Sequence, residues 1–120
     1  MKIDVERLQA YLRWSAGRNR IAIDVAPFTL YVSPHDERPW FNYAVPNQPV
    51  DGDPRGAVSE TRVQFARAGR RAAFEYLEAY APNLAPTLAA AGFVVAERET
   101  VMWLEPEETF ALRRMEAPYE

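Results

Sequence analysis

Residues 81 to 104 constrain the fold more than any other part of the chain. Ala81-Pro82-Asn83-Leu84-Ala85-Pro86-Thr87-Leu88-Ala89-Ala90-Ala91 has the small and aliphatic content of a short helix that ends at Gly92-Phe93. Pro86 either falls within the first turn, where a missing amide is harmless, or moves the helix start to about residue 85. Val94-Val95-Ala96-Glu97-Arg98 and Thr100-Val101-Met102-Trp103-Leu104 then read as a closing hairpin. A strand-like Ala72-Ala73-Phe74-Glu75-Tyr76-Leu77 stands before this unit, so the helix is a crossover between strands.

The preceding residues extend the same grammar. Val5, Leu8 and Leu12 recur at helical spacing from residue 4 to 16, with Asp4 as a first-turn cap and Gly17 as a left-handed exit. Arg20 to Val25 and Phe28 to Val32 alternate as strands about the turn Ala26-Pro27 and predict a hairpin. After the polar loop 34 to 39, Trp40-Phe41-Asn42-Tyr43-Ala44-Val45 is a third strand, bulky enough for the middle of a sheet. Residues 58 to 68 form a helix closed by Gly69, with Val58, Phe65 and Ala68 on one side. The order is helix, three strands, helix, strand, helix, two strands. It predicts an α/β or α+β mixed sheet with helices on both faces and parallel crossovers around the two later helices.

Composition removes whole classes of function. A chain of 120 residues suits one domain, and without cysteine it has neither disulfides nor thiolate chemistry. His35 is the only histidine, which removes paired-imidazole metal sites, and neither acidic loop has the ligand spacing of a calcium site; no metal is expected. A net charge of −3 argues against nucleic acid and anionic membrane as partners. The N-terminal residues carry no apolar run of signal length, and the expected location is the cytoplasm. Arg62, Arg67, Arg70 and Arg71 crowd one helix and its exit, a cluster that suits either a solvated face or phosphate.

The helix ending in Gly92-Phe93, followed by apolar strands, resembles the C-terminal part of a Gcn5-related N-acetyltransferase (GNAT) domain, and the element order resembles that acyl-CoA N-acyltransferase fold lacking its first strand. The resemblance implies a cleft flanked by the third and fourth strands, where the family's acyl group lies. It also implies a pyrophosphate site on consecutive amides of a Q/R-x-x-G-x-G/A loop that opens the following helix. The stretch here is Val45-Pro46-Asn47-Gln48-Pro49-Val50-Asp51-Gly52-Asp53-Pro54-Arg55-Gly56-Ala57. Pro46, Pro49 and Pro54 offer no N–H, and Asp51 and Asp53 place negative charge beside the phosphates. Arg55 and Gly56 are what remains as candidates for cofactor binding.

The family's tyrosine general acid, four residues before the Gly of Gly-Phe, falls on Leu88, which has no proton to give. Tyr76 or Tyr80 would have to substitute. Glu75, with Glu78 behind it, is the candidate general base, although alternation with Phe74 and Tyr76 also suits an exposed strand carboxylate. Asn42 and Tyr43 flank the cleft as candidate substrate residues. His35, in a polar loop, has no nucleophile beside it.

This pattern is similar to the degenerate N-terminal half of tandem GNAT proteins. Residues 1 to 106 are expected to form the GNAT-like domain, and residues 107 to 120 a tail or a linker toward a second domain, in a longer protein or a stand-alone one. With Phe110 and Leu112 on one face, that tail is a short strand suited to the sheet edge of a second copy, which would give a homodimer. The leading expectation is a non-catalytic module for binding or assembly, with no cofactor. The alternatives are an active N-acetyltransferase that uses acetyl-CoA through a divergent phosphate loop, and a stand-alone small-ligand-binding protein built on the GNAT cleft.

Overall fold

The computed structural model describes residues 5–38, 41–102 and 109–118. Helix α1 (Val5–Ala16) leads into strands β1 (Ile21–Val25), β2 (Phe28–Val32) and β3 (Tyr43–Pro46). Helix α2 (Arg55–Arg67), strand β4 (Ala73–Leu77), helix α3 (Leu84–Ala90) and strands β5 (Val94–Met102) and β6 (Thr109–Glu116) follow. The strands make one six-stranded sheet in the order β1-β2-β3-β4-β6-β5. Every pairing is antiparallel except that of β3 with β4, the two strands joined by the α2 crossover. Among the described residues, no helix is long and apolar enough to cross a membrane.

The sheet has two unequal faces. Phe28, Leu30, Phe74, Tyr76 and Met115 point toward α2 and α3, where Val58, Phe65, Leu84, Leu88 and Phe93 meet them in the main core. Phe74 is the hinge of that core, with ring centroids 5.0 Å from Phe28 and 5.4 Å from Phe93. The opposite face carries a smaller cluster of Ala16, Tyr31 and Val45 with Tyr43 packed against it, and α1 lies across β3 and β4 on that side.

Two helix exits follow the predicted chemistry. Gly69 and Gly92 have φ of +68° and +92°, and the amides of Arg70 and Phe93 return to the carbonyls of Phe65 and Leu88, as a left-handed C-terminal cap requires. Pro86 is the third residue of α3, inside the first turn. Gly17 differs from expectation. The left-handed residue after α1 is Asn19, at φ 59°, and Gly17 serves instead to make room, since a Cβ there would stand 3.2 Å from the Tyr31 ring. Asp4, the predicted cap, and Trp40, the predicted start of the third strand, lie outside the described residues.

The C-terminal part is organised differently from the sequence expectation. Residues 94 to 98 and 100 to 102 do not make a hairpin with each other; one strand, β5, runs from Val94 to Met102, with a register shift between Val95 and Glu97, and Trp103 and Leu104 lie outside the described residues. No Gly, Pro or Asn stands between Arg98 and Thr100 to turn the chain there. The partner of β5 is β6, the stretch expected to be a tail or linker beyond residue 106. It inserts between β4 and β5 and is paired on both sides, Arg114 facing Glu75 across one ladder and Glu97 across the other. The reason given for a homodimer thereby disappears, because the backbone groups that were to reach a second copy are already used within the sheet.

Candidate functional site

The one parallel pair is also the place where the sheet is loosest. β3 and β4 are registered at Ala44 and Phe74, and toward their C-terminal ends the ladder gives way to a gap. Gln9 of α1 fills it. Its side chain is buried, its Nε2 donates to the carbonyl of Pro46 at 3.4 Å, and its Oε1 accepts the Leu77 N–H at 3.3 Å. One carboxamide thus substitutes for the missing rung, joining the ends of two strands that do not reach each other. A shallow cavity of about 60 Å³ beside it is bordered by Gln9, Pro46, Asn47 and Tyr80.

The loop that leaves β3 turns its donors inward. The Asn47 amide bonds Pro27 O at 2.8 Å, and its side chain bonds Thr29 Oγ1 at 2.9 Å. At the start of α2 the Asp53 carboxylate accepts the backbone N–H of Arg55 at 3.1 Å and is gripped by the Arg55 guanidinium at 2.6 to 3.0 Å. The hydrogen bonds from Arg55 hold the Asp53 carboxyl below its usual range. An anion already occupies the helix N-terminus, and it belongs to the chain. Arg55, Val58 and Ser59 of α2 face Thr87, Ala90 and Ala91 across a cavity of about 190 Å³; Gly56 is exposed at the same helix start.

Glu75 does alternate with the core residues Phe74 and Tyr76, but its face is not open. It lines a cavity of only about 60 Å³ with Leu12, Ser15, Tyr43 and Val45. Its Oε2 accepts from Arg114 Nη1 at 3.0 Å, and the Arg114 side chain, 6% exposed, also bonds Glu116 at 2.8 Å. Burial raises the Glu75 carboxyl above its ordinary range, against the opposing pull of Arg114. Tyr43 lies between two guanidinium groups, Arg20 at 5.3 Å and Arg114 at 5.6 Å from its ring centre. Its hydroxyl is raised, first by burial and then by the Glu75 charge. These groups form a closed polar cluster under α1, with no room at Glu75 for a substrate-sized group.

The other candidates are occupied in structural roles. Asn42 is fully buried; its Oδ1 accepts the Ser33 N–H at 2.8 Å, and its Nδ2 donates to Asp36 O at 2.7 Å and Arg38 O at 2.9 Å, so it organises the 33–38 loop rather than lining the gap. Tyr76 is buried in the core with its hydroxyl 3.5 Å from Met115 Sδ, and burial pushes that hydroxyl up to about 12. Leu88 is a core residue of α3. Glu78 ties three strands together at their ends, accepting Arg98 Nε at 2.7 Å and Arg113 Nε at 2.8 Å; the Arg98 hydrogen bond leads in holding it below its usual range. A carboxylate so held is a poor base. His35 is exposed. Among the described residues, no three metal-ligating side chains cluster.

Sequence reasoning missed Gln9 and Arg114. A signal for the first existed: Val5, Leu8 and Leu12 mark the buried stripe of α1, and Gln9, four residues after Val5, falls on it. An amide on such a stripe needs partners, and Gln9 finds them in the Pro46 carbonyl and the Leu77 N–H. Arg114 continues the strand face of Phe110 and Leu112, where a charge needs a partner, but the neighbour that neutralises it, Glu75, is 39 residues away.

The fold is GNAT-like. A solved structure described as a GCN5-related N-acetyltransferase from Kribbella flavida matches 80% of this chain with a TM-score of 0.68 at 21% sequence identity. The chain spans 38% of the length of that structure. No protein-family model matches the sequence, and no curated protein matches it.

Proposed function

We propose that this chain is a non-catalytic GNAT-like module whose role is binding or assembly. The observation that carries this reading is the Gln9 carboxamide, which bonds Pro46 O and Leu77 N–H in the gap between the strands that flank the family's acyl site. A ligand lying there would have to displace a buried side chain and replace both of its hydrogen bonds. The Asp53 carboxylate on the first amide of α2, the prolines before it and the occupied Glu75, Tyr76 and Glu78 all point the same way. The degenerate half of a tandem acetyltransferase is the arrangement this reading favours, with a second GNAT domain or a second copy as partner and no cofactor of its own. Consistent with this reading, the comparison structure is much longer than this chain, and Tyr11, Trp14 and Ile21 present exposed apolar surface. The reading places the protein in the cytoplasm, without nucleic acid or membrane as partner.

Isothermal titration with acetyl-CoA tests it. Binding no tighter than roughly millimolar, about 4 kcal/mol, is expected. Low-micromolar binding by this chain would promote the alternative, an acetyl-CoA-dependent N-acetyltransferase with a divergent phosphate loop.

A further inference from the structure

At the other end of α2 from the Asp53 cap, a groove of about 370 Å³ opens between the helix exit and the end of β6. Arg62 on α2, Arg70, Arg71 and Ala72 before β4, and Ala117 and Pro118 after β6 line it. We propose that this groove binds a small phosphate monoester, held by Arg62 and Arg70.

The charge arrangement is the reason. Arg71 is neutralised, with its Nη2 3.3 Å from Glu116 Oε2 and its Nε donating to Ala117 O. Arg62 and Arg70 are not. Arg62 donates to the Ala91 carbonyl and lies 5.0 Å from the Phe93 ring centre. Arg70 donates to the carbonyls of Ser33 at 2.9 Å, Gly69 at 3.3 Å and Ala68 at 3.4 Å. Among the described residues neither makes an ion pair, so all their partners there are neutral carbonyls or a ring. Asp36, whose carboxyl feels Arg70, is gripped by Arg38 through both oxygens. The Nε of Arg70 is buried without any hydrogen-bond partner.

Two uncompensated guanidinium groups beside one groove repel each other, and a buried N–H without an acceptor has a cost of its own. An oxyanion with several acceptor oxygens and more than one charge would relieve the repulsion between the two groups, and the planar fork of arginine suits phosphate geometry. The cavity volume lies in the range of small-molecule sites, and the alanine and proline side chains supply an apolar wall for the esterified part. A chain of net charge −3 with two such groups is unsuited to tracking a polyanion, which makes the ligand small. The groove is remote from the β3–β4 gap, so the inference does not depend on whether that gap accepts a ligand.

The test is a titration of the intact chain with inorganic phosphate and with ribose 5-phosphate at constant ionic strength, following the arginine Nε–Hε resonances by NMR. The expected result is a saturable shift of the Arg70 resonance, tighter for the ester, with a dissociation constant below about 1 mM. Arg62→Gln should weaken binding by roughly tenfold or more, and Arg70→Gln likewise, while Arg67→Gln on the exposed side of α2 leaves it unchanged. The amide spectrum reports whether each variant is folded; should Arg70→Gln unfold through loss of its bond to Ser33, Arg62→Gln decides. A shift that does not saturate, or saturable binding indifferent to Arg62→Gln in a folded variant, overturns the proposal.

Discussion

Glu75 and Arg114 face each other across the β4–β6 ladder, Oε2 to Nη1 at 3.0 Å, and Arg114 reaches along its own strand to Glu116 at 2.8 Å. The arginine is the buried member and has two carboxylates. Glu75→Gln is therefore expected to alter stability by no more than about 0.5 kcal/mol at neutral pH, because an amide oxygen still accepts from Arg114 and Glu116 still supplies charge. Glu75→Ala should cost about 1–3 kcal/mol, since it leaves a buried guanidinium N–H unmade. Urea denaturation of both variants measures the difference. Equal, negligible effects would mean that Glu75 is simply a solvated strand residue.

Gln9 bridges Pro46 O and Leu77 N–H, and both of its functions are needed there, one donor and one acceptor. Gln9→Leu should destabilise the fold by about 1–3 kcal/mol although it keeps the apolar contacts of α1. Gln9→Glu offers a sharper measurement. Its ionised form sets a charge against the Pro46 carbonyl, while its protonated form restores the donor. The buried carboxyl in that variant would have a raised pKa, so its deficit relative to the parent should shrink as pH falls toward 4. A deficit independent of pH would place residue 9 outside the hydrogen-bonding gap.

The carboxyls of Glu75, in the middle of β4, and Glu78, just past its end, should respond to pH with opposite signs. Glu78 is held below its ordinary value by Arg98 and then Arg113, so the stability it contributes is present above the unfolded pKa and is lost as pH falls through the lower folded value. Glu75 is raised by burial, so its ionisation weakens the fold as pH rises from the unfolded to the raised folded value. In Glu78→Gln the acid limb of a stability–pH curve should flatten, and in Glu75→Gln the fall on the rising side should disappear. Thermal denaturation between pH 3 and 7 reads both limbs, and a parent-like acid limb in Glu78→Gln contradicts the assignment.

Asn42 makes three hydrogen bonds to the 33–38 loop from a fully buried position. Asn42→Ala should cost about 2–4 kcal/mol, the range of a broken buried network, and should change the amide resonances of the loop residues Ser33, Asp36 and Arg38. An unchanged stability would return Asn42 to the gap between the strands.

How far these features were legible depends on the distance over which each is encoded. Helices α1, α2 and α3, the β1–β2 hairpin and the strand β4 follow from local periodicity and from the glycine exits at Gly69 and Gly92, because the residues that form a turn of helix or a tight turn are neighbours in the chain. The missing amide donors at Pro46, Pro49 and Pro54 were equally local, since a proline lacks its N–H wherever it stands.

The partner of β6 was not local. Phe110 and Leu112 announced a strand with one apolar face, but a strand edge satisfies its hydrogen bonds equally well in another copy or in its own sheet, and only the packed sheet selects β4 and β5. The same holds for the site. The residue types at Glu75, Tyr76 and Glu78 were evident in the sequence, but whether a carboxylate is a base or half of an ion pair is decided by what lies a few ångströms away, here Arg114, Arg113 and Arg98, brought there from 20 to 39 residues along the chain. Gln9 is the clearest case. Its sequence position says that an amide faces the core, and the tertiary structure alone supplies the divergent strand ends that give the amide its partners.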